Sequence, residues 1–171
     1  MTRKIAVDDA ALRRLSARVA KKLRAAGETI VTAESCTGGF IAKVLTDLPG
    51  SSDYFERGWV TYSNEAKQAE LGIEALTLAS FGAVSETVAV AMARGALNQS
   101  KAHHAIAVTG IAGPSGGTRA KPVGLVWFGL AGRGMATRTE LREFSGRSRA
   151  LVRTRSVETA LMLIENALRR E

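Results

Sequence analysis

The 171 residues, 46% hydrophobic and 23% charged, suit one globular domain spanning 1–171, large enough to bury a core without disulfides or structural metal. A single cysteine, Cys36, excludes an internal disulfide, and the absence of any apolar run near the roughly 20 residues that span a bilayer excludes a transmembrane protein. Of the net charge of +8, residues 1–24 carry eight Lys/Arg against two acids and 133–171 nine against five, whereas 25–132 carry seven against nine, a distribution that reads as solvated helix faces rather than a nucleic-acid footprint.

Arg3, Lys4, Asp8 and Asp9 break up the first apolar positions, so no secretory leader is read and a cytoplasmic location is expected. Asp8 and Asp9 cap a helix whose Leu12, Leu15, Val19 and Leu23 fall at helical spacing and which ends near Gly27. Thr29 to Ala33 is a β-branched run too short for a helix; Glu34-Ser35-Cys36-Thr37-Gly38-Gly39 and an amphipathic stretch to Pro49 follow, which predicts strand, tight turn, helix. A second such unit places a strand over Gly58 to Tyr62 and a helix from Asn64 to about Leu71, with Ser63 or Asn64 as cap. Ser85 starts a helix through Val88, Met92 and Leu97. Ala105 to Thr109 is a third strand, leading into the glycine-rich 110–117. Val123 to Leu130 and Met135 to Phe144 form an antiparallel hairpin, and a last helix begins near Ser148. The expected fold is a three-layer α/β/α sandwich on a mixed, mainly parallel sheet of about five strands with a C-terminal antiparallel hairpin.

Ligands of such sheets collect beyond the carboxyl ends of the strands, where three loops carry chemistry. Ser35 either caps the helix that follows it or attacks as a nucleophile, its oxyanion received by the backbone amides of the small turn Cys36, Thr37, Gly38 and Gly39. Cys36 is the competing nucleophile, without a partnered base, because His103 and His104 open a different strand and read as surface or packing residues. Lys67, in the first turn of its helix, serves as a base if desolvation lowers its pKa, with Tyr62 relaying the proton or orienting the amine; otherwise it is an exposed helical lysine. The Tyr62 to Lys67 spacing and the lack of Gly-x-Gly-x-x-Gly after the first strand argue against hydride transfer. Four glycines within 110–117 suit an anion nest but are not a P-loop, and Arg147, Arg149 and Arg153 are candidates for a bidentate phosphate contact. Glu34 and Glu65 make no carboxylate dyad, and Trp59 and Trp127 read as core. The residues alone point to a hydrolase or transferase acting on a small phosphorylated molecule.

Thr32-Ala33-Glu34-Ser35-Cys36-Thr37-Gly38-Gly39, Tyr62-Ser63-Asn64-Glu65-Ala66-Lys67, Gly82-Ala83-Val84-Ser85-Glu86, Gly110-Ile111-Ala112-Gly113-Pro114 and Lys121-Pro122-Val123-Gly124 together resemble the CinA C-terminal domain family, the nicotinamide-nucleotide amidases, over essentially the whole chain and in its stand-alone form. The resemblance implies deamidation of nicotinamide mononucleotide to nicotinate mononucleotide and ammonia, without metal or cofactor, by a homo-oligomer, expected as a dimer. It makes Ser35 the nucleophile, Lys67 the base and Tyr62 their companion, and it places Thr109 and the 110–117 loop, including Gly110, Gly113 and Ser115, against the substrate. Two departures stand out. The family's Phe-Ser-Gly-Asp-Arg appears as Phe144-Ser145-Gly146-Arg147-Ser148-Arg149, so Arg149 takes the arginine role and Ser148 the aspartate position, with Arg147 competing; and Ser115 replaces an acidic residue. Both remove negative charge beside the expected phosphate. The competing expectation is a non-catalytic module contacting nucleic acid, as the competence and damage association of the family's name suggests; salt-sensitive DNA binding indifferent to Ser35→Ala would favour it.

Overall fold

Six α-helices and five strands are built from residues 9–144 and 146–168, which the computed structural model describes; Asp8, one expected helix cap, and Ser145 lie outside the described residues. The order is α1 (Asp9–Ala26), β1 (Ile30–Glu34), α2 (Phe40–Thr46), β2 (Phe55–Val60), α3 (Asn64–Leu71), α4 (Ala75–Phe81), α5 (Glu86–Asn98), β3 (His104–Gly110), β4 (Leu125–Gly132), β5 (Arg138–Glu143) and α6 (Arg149–Ala167). The strands form one sheet in the order β2-β1-β3-β4-β5, with β1 parallel to β2 and β3, and β4 antiparallel to both β3 and β5. Strand alternation divides the core. Ile106, Val108, Val126 and Phe128 face α1, α2 and α6, whereas Val31, Ala33, Ala105, Ala107 and Ala131 face α3, α4 and α5. The sandwich is therefore the expected one, and every residue of β1 is buried because a helical layer covers each face.

Several boundaries differ from expectation. Helix α4 was not anticipated; it buries only Leu78 and leaves Leu76 and Phe81 exposed, so it carries no apolar stripe for periodicity to reveal. β2 starts at Phe55 rather than Gly58 and stops before Tyr62. As an edge strand it is mostly exposed, which hides the alternation. β4 and β5 start two and three residues later than Val123 and Met135. Trp59 and Trp127 are half-buried rather than core. The helix starts, by contrast, lie where their caps put them: Ser63, Ser85 and Ser148 accept from the amides of Ala66, Val88 and Leu151 at 3.0, 3.2 and 3.3 Å.

Register sets the site. Glu34 is level with Val60 on one side and Val108 on the other. Ser35, Thr61 and Thr109 thus follow at the same edge of the sheet, and the Ser35 amide continues the ladder to Val108 O at 3.0 Å as Thr61 N does to Glu34 O at 2.9 Å.

Candidate active site

At that edge, Lys67 reaches back from the first turn of α3, and its Nζ lies 3.1 Å from Ser35 Oγ, 2.7 Å from Thr61 O and 3.4 Å from Tyr62 O. Lys67 is 1% exposed and Ser35 9%. Burial holds the lysine pKa below its ordinary value, with the neighbouring Cys36 acting weakly in the opposite sense. A neutral amine has two N–H donors and one lone pair, so two carbonyl contacts leave the lone pair for the Ser35 hydroxyl proton. The lysine approaches Tyr62 through the backbone carbonyl, not the phenol.

Beyond Ser35 the chain turns sharply, with Gly38 donating to Ser35 O at 3.0 Å and Phe40 to Thr37 O at 3.2 Å. Gly39 has φ 89°, a left-handed conformation that disfavours a side chain. The amides of Cys36, Thr37 and Gly39 donate to no backbone acceptor among the described residues. The fully buried Glu34 spans the turn, its two carboxyl oxygens accepting from Ile41 N at 3.0 Å and Ala42 N at 2.8 Å in the first turn of α2. Cys36 is also buried, and desolvation pushes its thiol up to about 12, which keeps it protonated and removes its advantage as a nucleophile.

A cavity of about 260 Å³ opens over this pair, with Ser35, Cys36 and Lys67 on its floor and Thr109, Gly110, Gly113 and Ser115 along one wall. Tyr62 and Arg149 stand at its mouth. Arg149, the first residue of α6, donates from Nη1 to Gly113 O and from Nη2 to Tyr62 Oη, both at 2.8 Å. These two contacts leave further guanidinium donors for a ligand. Gly113 has φ 79°, a left-handed conformation that disfavours a side chain, and a Cβ there would crowd Val123 Cγ1. The Thr109 hydroxyl donates to Ala83 O at 2.7 Å and braces the segment that brings Ala83 and Val84 into the cavity lining beside it.

Not every candidate from the sequence meets there. Thr37, Gly38, Gly39 and Arg147 do not line the cavity; Arg147 is exposed and Ser148 is spent on capping α6. Arg153 donates from Nη2 to Thr37 O at 2.9 Å instead of facing the mouth. His103 and His104 lie at the opposite edge of the sheet, bonded to Thr29 and Glu28. The carbonyl of Thr61 and the apolar lining by Ala83 and Val84 escape sequence reasoning, because a backbone acceptor and small apolar side chains leave no chemical signal of their own, even though Gly82 to Glu86 is one of the motifs that carry the family resemblance.

The family model described as the CinA C-terminal domain matches residues 12–168. Nicotinamide-nucleotide amidohydrolase PncC of Escherichia coli K12 is 52% identical over 159 residues, 91% of this chain and 94% of that protein. A CinA-like protein of Chlorobium phaeobacteroides is 53% identical over 146 residues, which cover 84% of this chain but 35% of that longer protein. Among solved structures, competence/damage inducible protein CihA from Agrobacterium tumefaciens superposes with a TM-score of 0.91 at 43% identity, covering 95% of this chain and 97% of that one.

Proposed function

The chain belongs to the CinA C-terminal domain family, and on that premise we propose that it is a nicotinamide-nucleotide amidohydrolase in which Ser35 is the nucleophile and Lys67 its base. The substrate is nicotinamide mononucleotide. The observation that carries the assignment of roles is the 3.1 Å contact between Lys67 Nζ and Ser35 Oγ, two buried side chains at the head of the cavity loops. Lys67, whose burial favours the neutral amine, accepts the Ser35 proton in that form as Oγ attacks the carboxamide carbon. The backbone amide of Cys36, at the start of the turn and on the cavity floor, receives the oxyanion. The protonated Lys67 then returns its proton to the departing nitrogen, ammonia leaves, and the resulting acyl-serine is hydrolysed by a water that Lys67 deprotonates in turn. Nicotinate mononucleotide is released and both side chains return to their starting states.

Arg149 at the cavity mouth suits the 5′-phosphate, with the amides of the 110–117 loop beside it. In this proposal Tyr62 orients Arg149 through its hydroxyl rather than relaying a proton, and residues 1–171 act as one amidase domain in the cytoplasm, without a nucleic-acid partner. Among the described residues no helix is long and apolar enough to cross a membrane. Assembly as a homodimer is part of the proposal too; the apolar surface at Val60, Leu76 and Phe81 supports it. The test is ammonia release from nicotinamide mononucleotide by the purified protein, with Ser35→Ala, Lys67→Ala and a chelator in parallel. Release that both substitutions abolish and the chelator leaves intact is expected; no release from folded wild-type protein would overturn the substrate.

A further inference from the structure

The nucleophile's turn contains two adjacent glycines, and the side chain of Thr37 supplies no anchor, since its fully buried hydroxyl has no hydrogen-bond partner among the described residues. Yet an oxyanion hole works only if its amides are held within a fraction of an ångström before the charge develops. Two side chains from elsewhere tie this turn down. Glu34 fastens its far end by accepting from Ile41 N and Ala42 N. Arg153, one helical turn beyond Arg149 on α6, fastens its middle by donating to Thr37 O, and its Nη2 lies 3.5 Å from where a Cβ on Gly38 would be. The same Thr37 carbonyl accepts from Phe40 N and the Gly38 amide is bonded back to Ser35 O, so the Arg153 contact locks the peptide at the centre of the turn and with it the Cys36 amide, which donates to no backbone acceptor among the described residues.

We infer that Arg153 is a positioning residue for acyl transfer, holding the Thr37–Gly38 peptide so that the turn after Ser35 presents preset donors to the oxyanion, rather than a ligand of the substrate phosphate. This rests on the serine-nucleophile assignment above. The arginine cluster on α6 is thereby split by function: Arg149 faces the cavity mouth, while four residues on, Arg153 faces the back of the nucleophile's turn. A phosphate ligand and a positioning residue make opposite kinetic predictions. Loss of the former raises KM, and loss of the latter lowers kcat.

The experiment measures kcat and KM for nicotinamide mononucleotide, thermal unfolding, and the rate at which a fluorophosphonate probe labels Ser35, in wild type, Arg153→Gln and Arg153→Lys. Expected for Arg153→Gln is a kcat lowered about 10- to 100-fold, below the cost of deleting a direct oxyanion donor, with KM within about threefold and labelling slowed in parallel. Arg153→Lys, which keeps a cationic donor for Thr37 O, recovers part of both rates. An unchanged kcat with raised KM, or labelling as fast as wild type in Arg153→Gln, overturns the inference and leaves the serine-nucleophile assignment standing. So does an Arg153→Gln variant that loses rate only in proportion to its loss of folded protein. A wild type that is labelled but does not deamidate the nucleotide refutes the substrate alone, and the labelling rates still decide the role of Arg153. A wild type neither labelled nor active refutes both.

Discussion

Replacing Lys67 with methionine separates chemistry from stability. The methionine keeps most of the alkyl packing of a side chain that is 1% exposed and removes only the amine. The structural cost is chiefly the 2.7 Å hydrogen bond to Thr61 O, worth about 1 kcal/mol net, and it is offset by no longer burying an amine whose charged form is disfavoured there. The unfolding midpoint should therefore move by no more than roughly 2–4 °C per kcal/mol for a domain of this size. Catalysis should suffer far more: a positioned general base contributes typically 10² to 10⁴-fold, and no second base touches Ser35 Oγ among the described residues. The assay is ammonia release against pH alongside thermal unfolding. In wild type kcat/KM should rise with pH as Lys67 loses its proton and level off below the range of an ordinary lysine, because burial lowers the folded pKa. The same shift fixes the stability difference. As pH falls from the unfolded lysine value to the lowered folded value, protonation favours the unfolded wild type, so Lys67→Met should gain relative stability across that window and no further below it. A Lys67→Met enzyme retaining more than a tenth of wild-type kcat/KM, or a wild-type profile inflecting at the ordinary lysine value, would refute the assignment.

Arg149→Met should raise KM for nicotinamide mononucleotide about 10- to 100-fold, the scale of a charge-assisted phosphate contact, while Arg147→Met leaves it near wild type; steady-state kinetics on both variants decide between the two arginines. Cys36→Ala should keep kcat within about threefold, since a thiol pushed up to about 12 is protonated at working pH; a loss matching that of Ser35→Ala would make the thiol the nucleophile. Gly129→Ala should destabilise by about 1–3 kcal/mol in urea titration, because its Cβ would lie 2.5 Å from Ala89 O in the α5 backbone; full stability would refute that packing.

The strand, turn and helix order was legible because its signals are local. Ser63, Ser85 and Ser148 cap helices through their own side chains, and the β-branched run of β1 and the short apolar run of β3 read as strands. Ser35 and Lys67 were identifiable as separate candidates, since each sits where a strand gives way to a helix. Helix α4 and the start of β2 were not legible, because an edge strand and a nearly exposed helix are marked by neither alternation nor an apolar stripe.

What the sequence by itself determined was the layered fold, the family and the set of loops that carry chemistry, all of which depend on residue type and spacing along the chain. Only the tertiary structure decided which members of those loops meet. Parallel pairing of β1 with β2 and β3, level at Glu34, Val60 and Val108, brings Lys67 to Ser35 across 32 positions of sequence. Helix direction then sends Arg149 to the cavity and Arg153 behind the turn, a division invisible in a run of arginines. Desolvation, which lowers the pKa of Lys67 and raises that of Cys36, is a property of the packed interior and has no counterpart in the unfolded chain.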